Sequence, residues 1–384
     1  MNNRQRVSAV LHYQHYDRLP IAHFGYWNET LDKWAAEGHI SEEVAATWGD
    51  GNLTDLALNE QLGFDLNYYT TFYPNSALMP AFEREVLEEL PDGSLKVRDP
   101  EGAVELYREG AGSIPARIDH LLKDRASWEA HYKPRLQMAM DRVDWAPVYV
   151  GGERQQFDQG GREALMDPDR EEWYGLHCGS LYGNFRNWIG MEEAIFLLHD
   201  DEALFDEIVE WNGELCWRVT KAALESGAQF DFAHFWEDIC FKSGPLISPR
   251  VFRKKIGPLY KRITELVASY GIDIVSLDCD GKIDALVPIW LENGVNTMFP
   301  IEVGTWQASI APWRQQYGQA LRGVGGMNKT ILAYDYAAVD AEIERLKPLV
   351  ELGGYIPCPD HRIAPDAKWE NVQYYCEQMR KTFG

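Results

Sequence analysis

From Gln229 to the C-terminus, short apolar runs alternate with helical stretches of about 15 to 20 residues, the pattern of βα units arranged around a parallel sheet. The runs read FDFAHF, IDIVSL, VNTMF, ALRGVG and GGYIP, and the earlier stretches RLPIAHF, GFDLNYY and GLHCGSL bring the total to eight. Eight strands of this kind favour a closed (β/α)8 TIM barrel, an α/β fold, over an open doubly wound sheet. No GxGxxG opens a helix after any strand, so neither NAD nor another nucleotide cofactor is expected. GVGGMNK at 323–329 places glycines after a strand but lacks a Lys-Ser or Lys-Thr ending, and reads as a close-packed strand exit.

Ser248-Pro249 makes a helix start with a hydroxyl cap and a proline at the first helical position, and the helix can run to about Tyr270. Residues 117–145 and 191–226 carry apolar positions at helical spacing, including Ile195, Leu198, Leu204, Ile208 and Trp211, and read as core-facing helices. The N-terminal third mixes such periodicity with a hairpin: FEREVLEEL, then PDGS, then LKVRDPEGAVELY, reversing at Asp92-Gly93. The expectation is one domain, residues 1–384, with a helical and β-hairpin insertion at about 82–107 laid over a barrel end.

A chain of 384 residues with 45% hydrophobic content can bury a large core. Its 60 acidic against 37 basic residues, a formal charge of -23, would repel nucleic acid and anionic membrane surfaces. No apolar stretch approaches the roughly 20 residues that cross a bilayer. The start lacks the apolar middle of a secretion signal, so a cytoplasmic protein is expected. Cysteines at 178, 216, 240, 279, 358 and 376 form no CxxC pair. Reduced thiols, and no structural zinc finger, follow from that spacing.

In a parallel α/β barrel, chemistry collects just past the C-terminal strand ends. Four such ends carry polar groups: His234, Trp236, Glu237 and Asp238 in HFWED, Asp278 and Asp280 in LDCDG, Glu302 in FPIEV, and Asp360 and His361 in PDHR. Asp278 and Asp280 are two apart and face one side of an extended chain, with Cys279 on the other. Taken singly, each carboxylate has an ordinary alternative as a helix cap or an arginine partner. Asp278, Asp280 and His361 form a candidate three-point metal site for Zn, Mn or Fe. The competing reading is metal-free, with clustered carboxylates raising one another's pKa to furnish a general acid or base.

His177 and His23 sit on other candidate strands, where a lone histidine is more often hydrogen-bonded structure. Tyr182, Asn184 and Arg186 follow GLHCGSL and could bind a polar substrate group. YYTTFYPN at 68–75, with Tyr26 and Trp27, offers a flat wall for a planar ligand, although ordinary packing explains it nearly as well.

The stretches WEDICFKSGPLISPRVFRKKIGPLY, DCDGKIDALVPIWLENGVNTMFPIEV, LRGVGGMNK and GGYIPCPDHRIAPD resemble the uroporphyrinogen decarboxylase (URO-D) superfamily, and DRLPI with the VRDPEG hairpin resembles its methyltransferase-like branch. In that branch a His-x-Cys-Gly segment and a later Cys bind zinc, which activates a thiol. Aligned on Gly281, those positions hold Asp278, Asp280 and His361, so carboxylate and imidazole replace thiolate. Such a site should prefer a harder metal or act through protons. The decarboxylase branch grips substrate carboxylates with arginines in a Met-Arg-Gln-Ala-Gly-Arg segment, whereas here no arginine lies between Arg18 and Arg84. Only His361, at the position of the family's late Gly-His-Gly histidine, supports that branch.

The resemblance implies a methyltransferase that passes a methyl group from a small methylated substrate to a corrinoid on a partner protein. Its alternatives are a lyase decarboxylating a uroporphyrinogen-like tetrapyrrole or other carboxylate, and a non-catalytic corrinoid- or tetrapyrrole-binding protein. The expected catalytic residues are His361, Asp278, Asp280, Glu237 and Asp238. The expected substrate contacts are His234, Trp236, Tyr26, His177, Tyr182, Asn184 and Glu302. Family members often pair, which implies a homodimer.

Overall fold

The computed structural model describes residues 1–108 and 115–384. Each of the eight apolar runs contains a strand. In chain order the strands are β1 (Ala22–His23), β2 (Leu66–Asn67), β3 (Thr71–Phe72), β4 (Glu85–Glu89), β5 (Leu95–Arg98), β6 (Ala103–Tyr107), β7 (Ala116–His120), β8 (Pro147–Val150) and β9 (Glu153–Gln156). They continue with β10 (Gly175–His177), β11 (Phe232–Trp236), β12 (Cys240–Phe241), β13 (Gly244–Pro245), β14 (Val275–Asp278), β15 (Thr297–Ile301), β16 (Arg322–Met327) and β17 (Tyr355–Pro359).

The chain is an α/β protein with a parallel sheet in the order β17-β16-β15-β14-β11-β10-β3. β1 pairs in parallel with β2, which lies just before β3 in the same stretch. Backbone bonds also join the segments that follow the first strand and the last: Ile363 N–H donates to Gly25 O at 3.0 Å, and Trp27 N–H to Ile363 O at 3.2 Å. β10, β11 and β14 to β17 are buried throughout apart from their ends, which explains why they read as continuous apolar runs.

The hairpin forms at the expected place. Leu90 and Ser94 close the turn at 2.8 Å, with Gly93 at φ 81°. It extends further than expected, because β6 and β7 join β4 and β5 in a four-stranded antiparallel sheet. Residues 117–120 are therefore strand rather than helix, and only short helical turns occupy 125–144. Pairing with β6 outweighs a periodicity too short to decide the matter. Through Asn187 and the Tyr132–Trp188 ring contact, this sheet and its flank meet the helix Gly183–Ile189 that follows β10.

The helix after β13 breaks in two, Pro249–Lys255 and Gly257–Ser269, because Pro258 cannot donate into a continuous ladder. Ser248 makes no side-chain cap bond despite preceding Pro249. Residues 191–226 also divide, at Asp201, whose carboxylate caps the second helix through Leu204 N–H at 2.9 Å. Leu204 and Ile208 are buried as expected, but Ile195 is exposed. All six cysteines are buried free thiols. Among the described residues no helix is long and apolar enough to cross a membrane.

Candidate active site

β14 ends at Asp278, and the next three residues turn sharply. Gly281 sits at φ 85°, where an added Cβ would lie 2.4 Å from the Cys240 carbonyl oxygen. Glycine is thus required both for conformation and for space. The turn leaves Asp278 buried, Asp280 half-buried, and Cys279 turned away into a contact with Ile239 N–H at 3.4 Å. Asp280 N–H donates to Asp238 Oδ1 at 3.3 Å. Asp238 itself adopts φ 56°, a left-handed conformation uncommon outside glycine.

His361 reaches the same place from the end of β17. Its Nδ1 accepts the Arg362 N–H at 2.8 Å, and its Nε2 lies 3.2 Å from Asp280 Oδ2. The first bond places the proton of a neutral ring on Nε2, which then donates to Asp280. Trp27 stacks on the imidazole at 5.3 Å with an interplanar angle of 11°. Glu302 completes the cluster, accepting from Gly281 N–H and from Thr305 Oγ1 at 2.8 Å.

Four carboxyl groups this close cannot all ionise at ordinary cost. Asp278 is held well above the usual carboxylate range by burial, then by Asp280 and Asp238, against the opposing Tyr69 hydroxyl and Arg362. Burial, with Asp280, raises Asp238 as well. Glu302 is pushed up to about 6 by burial and Asp280. Lys329 is lowered by burial, although Asp360, Asp280 and Glu302 favour its charge. A protonated acid beside a partly exposed His–Asp pair is an acid–base arrangement.

Residues 185–382 match the family model described as Uroporphyrinogen decarboxylase (URO-D). The chain belongs to the URO-D family. Among solved structures, a methyltransferase from Methanosarcina mazei is similar over 100% of this chain and 99% of its own, with TM-score 0.62 and 16% identity. A B12-independent methionine synthase from Shewanella sp. W3-18-1 matches over 95% and 98%, with TM-score 0.47 and 11% identity. No curated protein matches.

In this URO-D family member the structure brings Asp278, Asp280, Asp238, Glu302 and His361 together, and it distributes the other expected site residues differently. Glu237 is fully buried and accepts from Ser180 Oγ, the N–H groups of Leu181, Tyr182 and Gly183, and the Tyr260 hydroxyl. Burial raises its pKa against those donors. Its place is that of a loop anchor, not a proton carrier facing substrate. Asp360 likewise pins two loops, accepting Lys329 N–H at 3.0 Å and Gly304 N–H at 2.7 Å.

Tyr26 packs among His23, Trp34 and Trp48, and Tyr182 between Phe185 and Phe205. Both are core residues. His23 is satisfied by Asn59 at 2.6 Å and Gly25 N–H at 2.9 Å, as the structural reading of a lone histidine requires. Asn184 is buried, its N–H held by Ser180 Oγ at 3.0 Å. Trp236 lies under the Arg186 guanidinium at 6.0 Å, at the rim beside Asp238. His177 and His234 lie deeper, one layer below Asp278.

Sequence reasoning passed over Arg362, Lys329 and Tyr69 as members of the cluster. Arg362 binds Asp50 at 2.8 Å and faces Tyr69 and Asp278. The signals were adjacency to His361 in PDHR and the lysine that ends GVGGMNK.

The expected metal ligands Asp278, Asp280 and His361 come to one place, with Asp280 and His361 in direct contact. Among the described residues no three His, Cys, Asp or Glu side chains converge as a metal-holding group. The donor chemistry agrees, since Asp278 favours its neutral form and His361 directs its N–H, not a lone pair, at Asp280. To serve as ligands, Asp278 would have to release its proton and His361 to turn a lone pair toward the metal. The residues as placed do not fit the zinc site of the methyltransferase-like branch.

Proposed function

We propose that the protein is a methyl-transfer enzyme on a (β/α)8 barrel that works by proton donation instead of thiol activation. The seven-stranded parallel sheet, the parallel β1–β2 pair and the bonds between the segments that follow β1 and β17 support the barrel reading. The M. mazei methyltransferase, similar end to end, supports the choice of reaction class. The observation that carries the mechanism is the burial of Asp278 beside Asp280 and Asp238, which raises its pKa and favours the neutral acid.

A corrinoid carried by a partner protein would supply the methyl acceptor. On this chain, Asp278 gives its proton to the oxygen of the donor as the carbon–oxygen bond breaks, so that the leaving group departs as a neutral hydroxyl and Asp278 is left as carboxylate. The Asp280–His361 pair, partly open to solvent, returns the proton. The test is to supply a reduced corrinoid with a panel of O-methyl and N-methyl compounds and to follow loss of the methyl donor by chromatography. Turnover of an O-methyl donor that disappears in Asp278→Asn is expected; no turnover across the panel overturns the reading.

Decarboxylation is the second reading, favoured by one observation. Arg186, Arg362 and Lys329 lie around the carboxyl cluster, and a buried Nε of Arg186 has no hydrogen-bond partner among the described residues. Such cations can hold a substrate carboxylate. Release of carbon dioxide from uroporphyrinogen decides it: none at any enzyme level removes this reading.

A further inference from the structure

Away from the acid cluster, a cavity of about 230 Å³ lies between the helix Leu53–Leu62, the segment of β2 and β3, the turn of the β8–β9 hairpin and the stretch leading into β10. It is smaller than the roughly 300–1,000 Å³ of a drug-sized site, so its occupant is a small molecule. Among the described residues four carboxylates line it, Asp55, Asp65, Glu171 and Glu172, and no lysine, arginine or histidine does. Asp65 is paired with Arg18 at 2.5 Å. The other three have no lysine or arginine within ion-pair distance among the described residues; Asp55, fully buried, has only His23 at 3.8 Å, whose pKa burial lowers.

Acidic walls are often no more than solvated surface, and it is Asn59 that sets this one apart. His23 Nδ1 accepts the Gly25 N–H at 2.9 Å, so the neutral ring carries its proton on Nε2 and donates it to Asn59 Oδ1 at 2.6 Å. The amide is thereby fixed with its carbonyl on His23, which leaves its NH2 as the end that meets the cavity. Asn59 is 5% exposed, and among the described residues its NH2 donates to no acceptor. Trp173, buried in the same wall, also has an indole N–H without a partner among the described residues. Buried donors are nearly always satisfied, so both call for an acceptor that the protein does not supply.

The two observations select one kind of ligand. Carboxylates without cations favour a positive charge, and open N–H groups favour an oxygen acceptor. A bare metal ion meets only the first demand, and among the described residues no three acidic, histidine or cysteine side chains converge to hold one. Leu56, Leu66, Tyr149 and Trp173 add an apolar and aromatic wall, against which an ammonium group and a short carbon chain can pack. We propose that this cavity binds a small organic ammonium ion that also carries a hydroxyl, an amino alcohol in the simplest case, with the ammonium among Asp55, Glu171 and Glu172 and the oxygen on Asn59. The site stands apart from the reaction proposed for the acid cluster, none of whose residues line the cavity.

The probes are ethanolamine, ethylene glycol and glycolate, two-carbon alcohols whose other end is an ammonium, a hydroxyl or a carboxylate. Each is titrated at pH 7 into the full chain labelled with 15N at asparagine, and the Asn59 side-chain NH2, assigned by its absence in Asn59→Asp, is followed by 1H–15N correlation. Ethanolamine is expected to shift that NH2 saturably, and ethylene glycol and glycolate to leave it near its free position at the same concentration. Glu172→Gln, which removes a charge but keeps an acceptor for the Gly151 N–H, should weaken ethanolamine about tenfold. Ethylamine, which lacks the oxygen, should bind more weakly than ethanolamine. Should Glu172→Gln not fold, the wild-type titrations still decide: an Asn59 NH2 unmoved by ethanolamine, or moved equally by ethylene glycol, overturns the site. So does an unchanged affinity in folded Glu172→Gln, or an ethanolamine-soaked crystal with only water in the cavity.

Discussion

His361 Nε2 and Asp280 Oδ2 are 3.2 Å apart, and the backbone N–H of Arg362 already occupies the other ring nitrogen. The pair can therefore work only in one sense, with imidazole as donor and carboxylate as acceptor. Asp280→Asn and His361→Gln are each expected to lower kcat about 100-fold on whichever donor supports turnover. The double variant should be little worse than the poorer single one, because both remove the same proton path. Losses that multiply would show two independent roles.

Glu302 makes stability depend on pH in a stated direction. Its ordinary value of 4.5 is raised to about 6 by burial and Asp280, so folding favours the protonated form. Its contribution is full below about pH 4.5 and is lost as pH rises through about 6, at most about 2 kcal/mol for a shift of this size. Urea unfolding at pH 4.5 and pH 7 should show Glu302→Gln losing less stability between the two than wild type. An equal loss would mean that other carboxyls carry the dependence.

The eight strands were legible because runs buried on both faces leave an unbroken apolar signature, as in β14 and β15. The acidic cluster was legible for a related reason: Asp278, Asp280, Glu302 and His361 each stand directly after such a run. Glu237 satisfies the same rule, yet its partners are backbone N–H groups at 181–183, more than fifty residues earlier, which no local pattern can reveal. Tyr26 and Tyr182 flank β1 and β10, strands of two and three residues, too short for alternation to tell core from cavity. The open NH2 of Asn59 depends on a contact with His23, 36 residues earlier, which only the folded chain supplies.

Glu237 is expected to matter for folding first. Glu237→Ala strands buried donors at Leu181, Tyr182, Gly183 and Tyr260, and should cost about 3–5 kcal/mol. Glu237→Gln keeps an acceptor but brings an NH2 toward those donors, and should lie between the two. Denaturant unfolding measures both. A loss under about 1 kcal/mol in Glu237→Ala would return this residue to the list of proton carriers.

Gly281 tests whether the turn after β14 sets the position of the acids. Two penalties apply there: a left-handed φ of 85°, and a Cβ that would meet the Cys240 carbonyl oxygen at 2.4 Å. Gly93, at φ 81° in the hairpin turn, carries only the first, since a Cβ there has nothing within 4 Å. Gly93→Ala should cost about 1 kcal/mol. Gly281→Ala should cost about 2–3 kcal/mol, because the backbone must also move off Cys240. That movement carries Asp278 and Asp280 with it and breaks the Gly281 N–H bond to Glu302, so kcat should fall while KM changes little. Equal stability losses in the two variants, with kcat intact at position 281, would show that the turn tolerates the shift and that the acids are placed by something else.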